Sequence, residues 1–173
     1  MCAELNRKAF ENLSYGLYIL TSRNENRLNG QIVNTVIQVT SEPPRVAVIV
    51  NKKNLTHEYV SQSQLFGVSV LEEGAPLTFF GPFGFRSGRD YDKLAKVQFK
   101  EGTTGCPLIT QHALSVLEAK VIERIDVGTH TVFIGDVVSS EVLKEGAPLT
   151  YRYYKENLKG KPSQNSPTYT PTK

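Results

Sequence analysis

The amino-acid sequence predicts a mainly β domain, a barrel with a few short helices. Runs rich in Val, Ile, Thr and Phe recur along the chain, separated by short clusters of Asn, Gly, Pro and Ser. Stretches with helical periodicity are brief. The 173 residues, 39% hydrophobic and 21% charged, are enough to build one soluble core.

Leu5, Ala9 and Leu13 have helical spacing and predict a short N-terminal helix. Leu17–Ser22 reads as a strand. Asn24–Gly30, with its Asn-Gly pair, reads as the turn of a hairpin into a second strand that lasts until Pro43-Pro44. Neither proline donates to a ladder, so the strand ends there. Arg45–Val50 is a nearly pure apolar strand. Leu55–Gln62 reads as a helix with Asn54 as its N-cap, and Phe66–Leu71 as another strand. Glu72–Lys96 is a long segment rich in glycine and phenylalanine, the kind that is functional or holds short helices; Asp90–Ala95 is the candidate helix. Leu114–Ile125 and Thr131–Val142 are the longest strand patterns, joined at Asp126–Thr129. Tyr151–Tyr154 reads as a short strand or helix. The domain therefore spans 1–154, followed by an extended tail, 155–173, rich in Pro, Ser, Lys and Thr. The hexapeptide Glu-Gly-Ala-Pro-Leu-Thr occurs at 73–78 and again at 145–150. Its flanks do not match, so it does not define a structural repeat.

Composition narrows the function. A net charge of +3 is too small to argue for nucleic acid or a membrane surface. Cys2 and Cys106 form neither a disulfide framework nor a metal-ligand spacing. Met1–Leu13 is too polar for a signal peptide, and no apolar run approaches a membrane span, so a cytoplasmic location is expected.

The chemistry concentrates in Asn29–Thr56. The strand after Asn29 carries Gln31, Asn34, Thr35, Gln38 and Thr40 among its valines and isoleucines, with neither face cleanly polar; that irregularity suits a ligand or a bulge. The next strand ends on Asn51-Lys52-Lys53-Asn54-Leu55-Thr56. Asn51, Lys52, Asn54 and Thr56 supply donors and a cation at a strand-to-helix junction, as a phosphate monoester requires, although an ordinary capped loop has the same composition. A polar strand beside a cationic loop fits a flat, polar-edged ligand with a phosphate tail.

Taken in order, four segments resemble the flavin reductase-like family with its FMN-binding split β-barrel, a Greek-key fold. They are Gly30–Pro44, Asn51–Thr56, Ser87-Gly88-Arg89-Asp90-Tyr91-Asp92-Lys93, and Gly128-Thr129-His130-Thr131-Val132-Phe133-Ile134-Gly135-Asp136-Val137. The match covers roughly Lys8–Tyr154. Two positions depart from the family pattern: Thr129 stands where an acidic residue is usual, and Val36 where many relatives have an aromatic. The tail resembles a subgroup in which such a domain is fused to a rubredoxin. The rubredoxin cysteines are not in this sequence, which reads as the flavin domain alone.

The resemblance implies an NAD(P)H-dependent flavin reductase with FMN, tightly bound or exchangeable, and NADH or NADPH as reductant. It implies a flavin held by Gln31, Val33, Asn34, Thr35 and Val36 along the ring edge, and by Asn51, Lys52, Asn54 and Thr56 at the phosphate. Ser87 and Arg89, with Arg86, are candidates for a phosphate of FMN or of the nicotinamide nucleotide. Lys93 would lie near the reduced ring and offset its negative charge. His130 would seat the nicotinamide rather than act as a base, because hydride transfer needs alignment and dryness more than proton transfer. Tyr169 is a candidate to cover the ring, as are Phe79, Phe80 and Phe83, for which core packing is the simpler role. A homodimer is implied, with free flavin, a rubredoxin or a flavodiiron protein as electron acceptor. The alternatives are an FMN-binding electron carrier, flavoredoxin-like, that does not oxidise nicotinamide efficiently, and a split barrel that has lost flavin.

Overall fold

The computed structural model describes residues 5–169; Cys2 and the last four residues lie outside them. The main sheet has seven strands, antiparallel at every pairing. In chain order these are β1 (Tyr18–Asn24), β2 (Arg27–Val33), β3 (Val36–Ser41), β4 (Pro44–Asn51), β5 (Leu65–Leu71), β8 (Ala113–Asp126) and β9 (His130–Val142). The short strands β6 (Phe99–Glu101) and β7 (Pro107–Ile109) form a separate hairpin that the sequence patterns do not disclose. Three helices, α1 (Leu55–Ser63), α2 (Leu77–Phe85) and α3 (Tyr151–Glu156), decorate the sheet. No helix of the described residues is long and apolar enough to cross a membrane.

The strand order is β2-β1-β5-β8-β9-β4-β3. Consecutive strands β2 and β3 therefore occupy opposite edges. Only Asn34 and Thr35 separate them, and a step of three residues from Val33 to Val36 reaches about 10 Å at most. The sheet must roll until its edges nearly meet, leaving a split at Asn34-Thr35. The single polar strand expected from Asn29 to the prolines is thus two strands, because the chain changes edges in the middle of it. β3 then bulges between Gln38 and Thr40.

The barrel interior packs Leu20, Val48, Val50, Val60, Phe66, Val68 and Phe133. A second cluster lies outside it, where Leu17, Ile19, Leu71, Ile109 and Leu149 meet Phe79, Phe80 and Phe83 of α2 and Tyr154 of α3. The three phenylalanines are core residues. The sequence resists α2 because it holds Gly81, Pro82 and Gly84, and burial of the three rings overrides that propensity. The expected helix at Asp90–Ala95 is instead a series of turns. The Asp92 carboxylate accepts from Leu94 N at 2.9 Å, a local bond that competes with helix formation. The N-terminal helix is a 3-10 helix, Arg7–Asn12, with no buried residue; Leu5, Phe10 and Leu13 face outward. The two hexapeptide copies meet side by side, with Glu73 N donating to Ala147 O (3.1 Å), and each leads into a helix.

The Glu118 carboxylate, nearly inaccessible to solvent, accepts from the backbone N–H and hydroxyl groups of both Thr103 and Thr104 at 2.5–3.0 Å and so clamps the β6–β7 hairpin to β8.

Candidate functional site

A cleft of about 600 Å³ opens beside the split, and a narrow recess of about 50 Å³ continues it inward. Four parts of the chain build it. Strand β2 and the split supply Asn29, Gln31, Ile32, Val33, Asn34 and Thr35; the β4–α1 junction supplies Asn51, Lys53, Asn54, Leu55 and Thr56. The end of α2 and the following loop bring Phe83, Phe85, Arg86, Ser87, Gly88 and Lys93. The tail, from Lys161 to Tyr169, folds back to close the open side.

The floor is tightly specified. Asn29 Nδ2 donates to Thr56 Oγ1 at 2.8 Å, both side chains being buried. Gly88 rests on this pair, and a Cβ there would fall 2.1 Å from Asn29 Oδ1, so the Ser87-Gly88 turn closes on the floor only with glycine. The buried Lys93 ammonium donates to Gly30 O at 2.9 Å, its one protein partner among the described residues. Loss of hydration pulls its pKa down from 10.5 to about 8. Gln31 is 7% exposed, and its Oε1 is buried without a hydrogen-bond partner among the described residues. A buried acceptor left open on a cleft wall calls for a donor from whatever fills the cleft. The α1 N-terminus faces the same space, so its free N–H groups add anion-binding capacity.

The structure brings Gln31, Val33, Asn34, Thr35, Asn51, Asn54, Thr56, Ser87, Lys93 and Tyr169 to the cleft or its recess. Four of the residues expected there lie elsewhere. Lys52 turns away to Asp126 Oδ2 at 2.6 Å, and its neighbour Lys53 is the cation on the wall. Arg89 pairs with Glu58 on α1, leaving Arg86 beside the cleft, where it stacks on Tyr91 at 4.8 Å. Val36 packs against the barrel interior. His130 lies behind the tail, with Nδ1 2.8 Å from Thr129 Oγ1 and Nε2 3.2 Å from Asn165 O. Asn54 occupies the N-cap position without capping. Its Oδ1 accepts instead from Asn165 Nδ2 at 2.7 Å. The sequence reading also missed Asn29, Phe85 and the tail residues Lys161 and Asn165. Asn29 was readable as the first half of an Asn-Gly pair, but nothing local marks a tail that folds back on a distant strand.

Residues 10–159 match the flavin reductase like domain. The chain belongs to the flavin reductase-like family. It is 50% identical over 166 residues to a ferric-chelate reductase (NAD(P)H) of Archaeoglobus fulgidus, covering 96% of this chain and 98% of that one. It is 45% identical to a high molecular weight rubredoxin of Moorella thermoacetica, covering 96% of this chain and 72% of the relative. Among solved structures, the NADH:FAD oxidoreductase of Streptomyces globisporus superposes with a TM-score of 0.74 at 26% identity, covering 83% of this chain and 86% of that one. The split-barrel architecture is that of the flavin reductase-like family. The cleft also draws on residues beyond the family domain, since Lys161–Tyr169 follow its last matched position.

Proposed function

We propose that the chain is an FMN-dependent oxidoreductase that takes hydride from NADH or NADPH and passes electrons to free flavin or to a redox protein such as a rubredoxin or a flavodiiron protein. The observation that carries this reading is the cleft itself: it lies at the split, faces the α1 N-terminus, and is lined by Lys53, Arg86, Lys93 and Lys161 with no carboxylate among the described residues. Its donor set fits a flavin nucleotide. Asn34, Thr35 and the polypeptide at the split are poised for the carbonyls and nitrogens of a ring edge, and Gln31 Oε1 is an acceptor for a ring N–H. Asn51, Lys53, Asn54, Thr56 and Ser87 suit the phosphate.

When bound, FMN supplies the redox centre that accepts two electrons with a hydride and releases them to the acceptor. The chain's own work is positioning and electrostatics. Lys93 supplies positive charge in a partly dehydrated setting, where it favours a more anionic ring. Phe85 and the tail restrict water. His130, held behind the tail by Asn165 O, would help orient the nicotinamide once the tail gives way. We place residues 1–154 as the body of the enzyme, the 155–173 segment as a tail whose residues 161–169 cover the cleft, and the protein with the cytoplasmic nicotinamide pool.

A homodimer accompanies this reading. Ile37 and Val39 on the edge strand β3, Ile122 and Ile125 on β8, and the outward Leu5, Phe10 and Leu13 are exposed, Ile37 to 62%, and the unpaired edge of β3 offers a partner subunit a place to pack.

One observation favours the second reading, a flavin-binding electron carrier that oxidises nicotinamide slowly. The tail binds His130 and Asn54, groups a reductant and a flavin would use. The test is the anaerobic visible spectrum of FMN-loaded protein before and after NADH or NADPH. Rapid bleaching supports the reductase; bleaching only with dithionite supports the carrier; failure to bind FMN refutes both.

A further inference from the structure

Lys53, Arg86, Lys93 and Lys161 converge on one cleft, and none has a carboxylate partner among the described residues. Elsewhere Arg45, Lys52, Arg89, Lys100, Lys144 and Arg152 each hold a carboxylate. One phosphate monoester brings roughly two negative charges, so it matches about half of the cleft's four cations. Lys53 and Lys93 lie with the α1 N-terminus and the floor, where a flavin phosphate and ring belong. Arg86 and Lys161 are exposed and lie on the flanks, one from the loop after α2 and one from the tail.

The position of Lys161 is built. Its carbonyl accepts from Tyr154 Oη at 3.2 Å, and Gly160 N donates to Tyr154 O at 2.9 Å. Gly160 crosses so close to the Tyr154 ring that a Cβ would lie 2.1 Å from Cζ, and Lys159 before it turns with φ +56°. This path sends the chain over the cleft and lets the Lys161 ammonium reach toward it without an anchoring carboxylate.

We propose that Lys161, with Arg86, forms a second anion subsite that recognises the phosphates of the nicotinamide dinucleotide, making the tail a specificity element for the reductant. This rests on the reductase reading of the same cleft. A dinucleotide pyrophosphate supplies the charge that one flavin phosphate leaves unmatched, and a flexible cation outside the floor binds it without disturbing the flavin.

The test compares wild type with Lys161→Gln and Lys161→Arg, all loaded with FMN, against NADH, NADPH and dihydronicotinamide riboside, which carries no phosphate. Lys161→Gln raises KM for both dinucleotides about tenfold, as expected for loss of one charge-assisted contact, with kcat, FMN affinity and the riboside KM unchanged. Lys161→Arg restores the dinucleotide KM. An equal rise for the riboside, a loss of FMN affinity, or an unchanged dinucleotide KM overturns the assignment. If wild-type flavin is not bleached by any of the three, the reductase reading fails by itself. Equilibrium titration with NAD+ and NADP+ then decides the subsite: weaker binding to Lys161→Gln than to wild type supports it, and equal or undetectable binding overturns it.

Discussion

Replacing Lys93 with methionine separates what this residue does for folding from what it does for the ligand. The ammonium is buried with one carbonyl partner among the described residues. The fall of its pKa from 10.5 to about 8 corresponds to roughly 3 kcal/mol of destabilisation at neutral pH, where the group is charged in both folded and unfolded chains. Methionine keeps most of the volume and removes the charge, at a cost of about 1–2 kcal/mol for leaving Gly30 O unpaired. The apo variant is therefore expected to be more stable than wild type by about 1–2 kcal/mol in urea denaturation at pH 7. The pH dependence fixes the cause. Between pH 8 and 10.5 the unfolded chain binds more protons at this site than the folded one, so wild-type stability rises with pH through that window relative to the variant. FMN affinity moves the other way. Loss of a charge-assisted contact weakens FMN binding by about ten- to a hundredfold, read by quenching of flavin fluorescence. An anionic ligand draws the Lys93 pKa back up, so wild-type affinity falls as pH rises past 8 and the variant shows no such fall. A Lys93→Met protein that is less stable in the apo form, with unchanged FMN affinity, would refute the reasoning and leave the lysine as a brace for Gly30.

Glu118→Ala strands four donors on Thr103 and Thr104 and is expected to cost about 3 kcal/mol in urea denaturation. Burial alone would raise the Glu118 pKa, but the Thr104 and Thr103 bonds outweigh it and hold it below 4.5. The wild type therefore keeps this contribution above pH 4.5 and loses it as pH falls through the lowered value, and Glu118→Gln flattens that acid limb. Ile37→Asp puts a charge on the exposed edge strand; light scattering is expected to show a dimer for wild type and a monomer for the variant, and two dimers would move the interface elsewhere. Asn165→Ala removes the tail donor that holds Asn54 and is expected to strengthen FMN binding by about 0.5–1.5 kcal/mol by freeing that side chain; weaker binding in a titration would make Asn165 part of the ligand's own wall.

Much of the fold was legible because period-two apolar patterning and turn chemistry act locally. β1, β4, β5, β8, β9 and α1 begin and end within a few residues of where Val, Ile, Gly and Pro place them. Besides the β6–β7 hairpin, three features were not legible, for distinct reasons. The break in the polar strand at Asn34-Thr35 is imposed by a change of sheet edge, which only the closed sheet reveals. Helix α2 defies its glycines and proline because Phe79, Phe80 and Phe83 find a core supplied by β1, β5 and Tyr154. At the cleft, residue types were readable but directions were not: Lys52 and Lys53 are adjacent and chemically equal, yet Asp126, 74 residues from Lys52, draws the first away and leaves the second to the cleft.

The location of the site follows from topology before any residue is chosen. A sheet whose consecutive strands end up on opposite edges has to leave a gap where the chain crosses, and the backbone there has no ladder on one side. Thr35 O is satisfied by Ile49 N at 3.2 Å, and Asn34 Nδ2 donates to the tail, at Thr168 Oγ1, also 3.2 Å. The Thr35 hydroxyl adds a second bond to β4 by donating to Ile49 O at 3.2 Å, so a polar side chain at this crossing ties the gap to the sheet. The tail supplies partners when nothing else does. A ligand that offers equivalent hydrogen bonds to Asn34, Asn54 and His130 exchanges them for tail contacts and gains little from these bonds. Its affinity has to come from what the tail does not provide, namely charge for Lys53 and Lys93 and a flat apolar surface beside Ile32 and Phe85. A flavin nucleotide brings both.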